Sequence, residues 1–183
     1  RHRVFLGTFV DDPADMMHLD TVRALCAGSH IARLDPREAK IRSLRGLWRG
    51  EPLTLGYYRD GGLQRWVEGV IERERIDAVV VFSSSMAQYV ERVPGLPLLV
   101  DFVDVDSAKW SQYAQRHRWP MSWGYRREGR RLLAYERSVA RVARRSYFVT
   151  DREAELFVQQ APESAAVVEA MANGVDADFF APD

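Results

Sequence analysis

The sequence predicts an α/β fold, a Rossmann-like, doubly wound and mostly parallel sheet. Three observations predict it. Short apolar runs rich in β-branched residues recur along the chain and end in Asp, Ser or Thr. Segments with helical periodicity separate them. Two of the runs, residues 76–82 and 96–103, are apolar nearly throughout, as strands covered on both faces are. Ligands of such sheets bind outside the carboxyl ends of the strands, so functional residues are expected after Phe82, Val103 and Val149 and near Asn173.

Residues 4–10 form the first predicted strand, stopped by Asp11-Asp12-Pro13, and a helix follows over 14–27. A second strand is predicted near 30–34, stopped by Asp35-Pro36. Gly46, Gly50, Pro52 and Gly56 punctuate residues 37–58, which read as one short helix and a loop. A helix over 63–75 leads to the strand at 76–82, which runs into Ser83-Ser84-Ser85 and a helix over 86–92. The strand at 96–103 opens a helix near Asp106, and a long helix fits 121–144. A strand at 146–149, a helix capped by Thr150-Asp151 and extending to 161, and a last strand at 167–171 complete the pattern.

Charge is balanced overall and uneven locally. With 26 Lys or Arg against 26 Asp or Glu, a uniformly basic nucleic-acid coat is excluded, and no nucleic-acid partner is expected. Of the basic residues only Lys40 and Lys109 are lysine, and residues 116–145 hold ten Arg against two Glu, a segment of +8 against a remainder of −8. Such a segment fits an anionic surface, or a solvated helix face. A single cysteine, Cys26, excludes an intrachain disulfide and a Cys-based zinc site. No stretch approaches the roughly 18 apolar residues of a membrane span, and the run after Arg1-His2-Arg3 is too short for a signal-peptide core, so a cytoplasmic location is expected. The chain opens on Arg1 rather than Met, which suggests part of a longer protein.

Several constellations could carry chemistry. Ser83, Ser84 and Ser85 join a buried strand to a helix amino terminus, where free N–H groups favour phosphate or sugar oxygens; serine is also an ordinary N-cap. No Walker loop and no Gly-x-Gly-x-x-Gly follows any strand. Asp104 and Asp106, two residues apart, share a side if the backbone stays extended; they could act as a base, hold a cation or cap the next helix. Trp110, Tyr113, Trp119, Trp123 and Tyr125 approach the Arg-rich helix as a sugar-stacking or interfacial surface, or as core. His18 and His117 have no partner at metal spacing, and Cys26 reads as a small core residue.

Residues 132–141 with Glu136, Phe148-Val149-Thr150, and Asn173-Gly174-Val175-Asp176 followed by Phe179, Phe180 and Pro182 resemble the amino-terminal half of family-four glycosyltransferases of the GT-B fold. Residues 7–13, 82–89 and 101–107 are more specifically similar to sugar transferases associated with exosortase (PEP-CTERM) exopolysaccharide systems, with Ala172 where the family usually has Pro. The resemblance implies retaining transfer from a nucleotide-sugar donor to a polysaccharide or lipid-linked acceptor, with no separate cofactor and no required metal. It implies Asp104 as the catalytic-site carboxylate, and Ser83, Ser84, Ser85, Asp106, Lys109, Thr150, Asn173 and Gly174 as substrate contacts. It gives Arg126, Arg127, Arg130 and Arg131 a partner in an anionic leaflet or an isoprenoid pyrophosphate, hence a peripheral contact at the inner face of the cytoplasmic membrane. Residues 1–172 are then expected to be a partial acceptor-side domain lacking its first β-α unit. Residues 173–183 begin an interdomain linker, the nucleotide-sugar domain lies elsewhere, and the chain is expected to be inactive alone. The alternative is a non-catalytic module that binds an anionic surface or partner through the Arg-rich helix.

Overall fold

The computed structural model describes residues 2–174. It has six strands: β1 (Phe5–Val10), β2 (Gly28–Arg33), β3 (Val79–Phe82), β4 (Leu98–Val103), β5 (Arg145–Phe148) and β6 (Val168–Ala170). Every pairing is parallel, and helices form the crossovers, so the predicted α/β class stands. The ladder is in two parts, β1-β2 and β3-β4-β5-β6. Each described strand of the larger sheet pairs with its chain neighbour, which leaves the outer edge of β3 without a partner.

The helices are α1 (Leu19–Leu25), α2 (Pro36–Ser43), α3 (Arg45–Arg49), α4 (Leu53–Tyr57), α5 (Gly61–Arg73), α6 (Asp106–Arg116), α7 (Met121–Val142) and α8 (Asp151–Gln160). Three differ from the sequence reading for local reasons. The helix expected over 14–27 starts as a 3-10 turn, Pro13–His18, whose Ala14 N–H donates to Asp12, and becomes α-helical only at Leu19. The segment 37–58 forms three helices rather than one. Asp35 caps α2 through the Arg37 and Glu38 N–H groups, Gly50 at φ 69° ends α3, and Pro52 leads into α4. The helix expected over 86–92 is a 3-10 segment, Ser84–Tyr89, without a side-chain cap.

The core lies between the four-stranded sheet and helices α7 and α8. Phe102, Phe148 and Phe157 stack with ring centroids 4.9 to 5.5 Å apart, and all three are buried. Each contributes roughly 2–3 kcal/mol of apolar burial, which fixes the register of β4 and β5 beneath α8. α6 and α7 form the most extensive helix pair, and Trp110, Tyr113, His117 and Tyr125 pack on one another along it. Part of the aromatic group is therefore packing. Trp119 and Trp123 remain exposed. Val175, Asp176, Phe179, Phe180 and Pro182 lie outside the described residues, as does most of the expected linker.

Candidate functional site

Backbone strain marks the site. Among the described residues only Ser83 (φ 71°) and Val103 (φ 67°) are non-glycine residues with positive φ, and both stand at carboxyl ends of adjacent parallel strands, β3 and β4. For a β-branched residue this conformation is an outlier that costs of order 1–3 kcal/mol and persists only where surrounding bonds impose it. At Val103 they are visible. The Asp104 N–H donates to the Phe102 carbonyl at 2.8 Å, closing a γ-turn around Val103, and the Val103 N–H donates to the Asp101 carboxylate at 3.0 Å. Glu153 of α8 accepts from the Val105 N–H at 2.8 Å. Glu136 of α7 accepts from both the N–H and the hydroxyl of Ser107. The loop 103–107 is thus held from two helices.

The turn breaks the extended geometry that was to align Asp104 with Asp106, yet the two carboxylates still converge. Lys109 Nζ lies 2.7 Å from Asp104 Oδ2 and 3.3 Å from Asp106 Oδ1. Partial burial opposes the Lys109 charge, but the Asp104 hydrogen bond and the charge of Asp106 hold the ammonium above its ordinary pKa. An ammonium therefore already bridges the two oxygens that a divalent cation would need. What remains is a partly exposed cluster of net −1 with free lone pairs for hydroxyl donors.

The serines divide. Ser83 is half-buried and its hydroxyl sits 3.2 Å from that of Ser85. Ser84 and Ser85 are buried, which takes them away from any ligand, and Ser84 Oγ has no hydrogen-bond partner among the described residues. The segment that opens at Ser84 is a six-residue 3-10 turn rather than the α-helix expected after the serines, without a side-chain cap. Thr150 is exposed and caps α8 by accepting from the Glu153 N–H at 3.2 Å, the bond that sets the helix carrying Glu153. Asn173 and Gly174 are exposed beyond β6, apart from the Asp104 cluster by any hydrogen bond described.

Of the four arginines expected on an anionic surface, Arg126, Arg130 and Arg131 are exposed. Arg126 folds back on Ser122. Arg127 is a correction: its guanidinium is largely buried and donates to the carbonyls of Gly46 at 2.8 Å and Glu51 at 3.2 Å, fastening α7 to α3. Farther along, Arg137 and Arg141 pair with Glu163 and Arg145 with Glu169. The uncompensated charge of the +8 segment is therefore concentrated before residue 132.

One feature escaped the sequence reading. A cleft of about 450 Å³ opens at the carboxyl ends of β1 and β2, lined by Phe9, Arg33, Asp35, Glu38, Arg42 and Asp60. Asp35 and Asp60 cap α2 and α5, which fixes the polar rim. On this side the Tyr58 ring lies 5.9 Å from that of Phe9, and burial, then Tyr57 and the carboxylates of Asp11 and Asp106, raise its phenol above the ordinary pKa. The signal available was Asp35-Pro36 and Asp60-Gly61, strand-to-helix caps at a sheet's ligand-binding end.

No protein-family model matches the chain, and no curated protein is similar to it at a significant level. No described helix is long and apolar enough to cross a membrane.

Proposed function

We propose that this chain is the acceptor-side, Rossmann-like domain of a GT-B glycosyltransferase that moves a sugar from a nucleotide-sugar to a polysaccharide or lipid-linked acceptor. The observation that supports it best is the strained γ-turn at Val103, which fixes Asp104 at the carboxyl end of β4, with the residues that follow held by Glu136 and Glu153. Rigid presentation of a carboxylate suits orientation of an acceptor hydroxyl, because the group needs no reorganisation when substrate arrives. Asp104 accepts from that hydroxyl, Lys109 limits the local negative charge, and Asp106 and Ser83 extend the polar rim. The cleft offers polar groups and one aromatic face, the chemistry of a sugar ring. Most nucleotide-sugar contacts fall to a second α/β domain, so the 183 residues alone do not turn over. On this reading the work is done at the cytoplasmic face of the membrane.

The test is a donor screen on the full-length enzyme with and without Asp104→Ala. The variant is expected to lower kcat/KM for transfer by about tenfold or more through the acceptor, with the donor KM unchanged. A wild-type rate removes Asp104 from the site.

A further inference from the structure

We infer that α2 and α3 form a membrane-docking ridge that seats in the interface of an anionic bilayer, independently of whether the domain transfers sugar. The two helices turn small residues inward and large apolar ones outward. Their small residues Ala39, Ser43 and Gly46, at helical spacing, face the protein, and Ser43 packs so closely on Gly56 that a Cβ there would lie 2.9 Å from the Ser43 Cα. Their large apolar residues Ile41, Leu44, Leu47 and Trp48, also at helical spacing, face solvent, with Ile41 71% and Trp48 95% exposed. A water-facing helix would be arranged the other way round.

Charge says what covers the ridge. Residues 36–49 contain Arg37, Lys40, Arg42, Arg45 and Arg49 against the single acid Glu38. Arg42 is committed to the carbonyls of Gly56 and Tyr57, whereas Arg45 and Arg49 make no ion pair among the described residues and line a small cavity. The Arg127 bonds to Gly46 and Glu51 bring α7 against α3, and Trp123 lies one turn before Arg127 on that face of α7, with Trp119 just upstream and 81% exposed. Exposed tryptophans and leucines interleaved with arginines match a headgroup layer: the rings sit at the boundary and the guanidiniums take lipid phosphates. A neutral protein partner, or a second copy packed ridge against ridge, would leave those arginines uncompensated.

The experiment is co-sedimentation of the protein with phosphatidylcholine vesicles with and without phosphatidylglycerol, at low and high salt. Binding is expected only with the anionic lipid and is expected to weaken with salt. Trp48→Ser and Leu47→Ser are expected to lower the partition coefficient by about tenfold together, and Arg45→Glu with Arg49→Glu to abolish binding, each with an unchanged circular dichroism spectrum. Brominated lipid is expected to quench fluorescence in wild type and less in Trp48→Ser. Equal binding to neutral vesicles, or binding unchanged by the Trp48 and Leu47 variants, overturns the inference. So does a solution dimer that Trp48→Ser dissociates, since a second copy would then cover the ridge.

Discussion

Glu128 and Glu136 stand two turns apart on the buried face of α7, and each closes the amino terminus of a different helix. Glu128 accepts from the Leu53 and Thr54 N–H groups at the start of α4, and Glu136 from Ser107 at the start of α6. A carboxyl group at a helix amino terminus satisfies orphan backbone donors. One helix therefore sets two others from carboxyl groups about 12 Å apart along its own axis.

Removing Glu136 is expected to be costly. Glu136→Ala leaves the Ser107 N–H and hydroxyl unpaired in the interior and is expected to lower stability by about 2–4 kcal/mol in urea unfolding. Glu136→Gln, whose amide oxygen still accepts from the Ser107 N–H and whose amide N–H can donate to the Ser107 hydroxyl, is expected to lose less than half as much. Equal losses would mean that packing, not the hydrogen bonds, fixes this position.

Stability is also expected to depend on pH through the same residue. Burial, only partly opposed by the Ser107 hydrogen bonds, pushes the Glu136 carboxyl up to about 8. The folded chain thus holds a proton that the unfolded chain has released above its ordinary value near 4.5. The contribution is full below that value and is lost as pH rises toward 8, a decline of order a few kcal/mol. Denaturation midpoints between pH 5 and 8 should fall in wild type, and the difference from Glu136→Gln should track Glu136 alone. Parallel curves would refute the assignment.

Val103 is predicted to be a place where stability and site geometry conflict. Val103→Gly relieves the positive φ and is expected to raise stability by about 1 kcal/mol, against the usual cost of Gly in a strand. If the proposed sugar transfer is right, the same change is expected to raise the acceptor KM. Thermal melts and transfer kinetics read the two effects separately.

Two glycines of α7 are expected to respond oppositely. A Cβ on Gly129 would lie 2.7 Å from Ser111 Oγ and 3.0 Å from the Ser107 carbonyl, so Gly129→Ala is expected to cost about 1–3 kcal/mol as α6 is forced away. A Cβ on Gly124 meets nothing within 4 Å, and Gly124→Ala is expected to gain about 0.5–1 kcal/mol of helix propensity. Melting temperatures that move the same way would contradict the close α6–α7 contact.

The outer edge of β3 predicts solution behaviour. Val80 and Phe82 are 72% and 67% exposed on a strand with one unpaired edge, a template for intermolecular pairing. Val80→Lys is expected to reduce concentration-dependent association seen by light scattering, with little loss of stability.

The strands β3, β4 and β5 were legible because β-branched runs bounded by polar caps leave few other readings, and α7 was legible from its long helical stripe. Glu136 was visible as an acid among Leu132, Val139 and Ala140, but its partner Ser107 is 29 residues away, and no local pattern joins them. The turn at Val103 was hidden for the opposite reason. Valine favours extended backbone, and only bonds from Asp101 and the turn's own backbone, with Glu153 and Glu136 fixing the residues that follow, override that preference. Arg127 read as surface charge because a burial that spends a guanidinium on two carbonyls leaves no trace in composition.

The division of the sheet into two ladders carries a consequence for how the chain opens. Among the described residues no strand pairing joins β1-β2 to β3-β6; a clasp over residues 46–60 bridges them, with bonds that include Arg127 to Gly46, Glu128 to Leu53 and Thr54, Gln88 to Leu55, and Tyr89 to Tyr58. Backbone amides of β1 and β2 can therefore exchange with solvent through release of that clasp while those of β4 and β5 stay protected until the whole chain unfolds. The molecule behaves as two leaves on one fastening, and the looser leaf carries the Phe9 cleft.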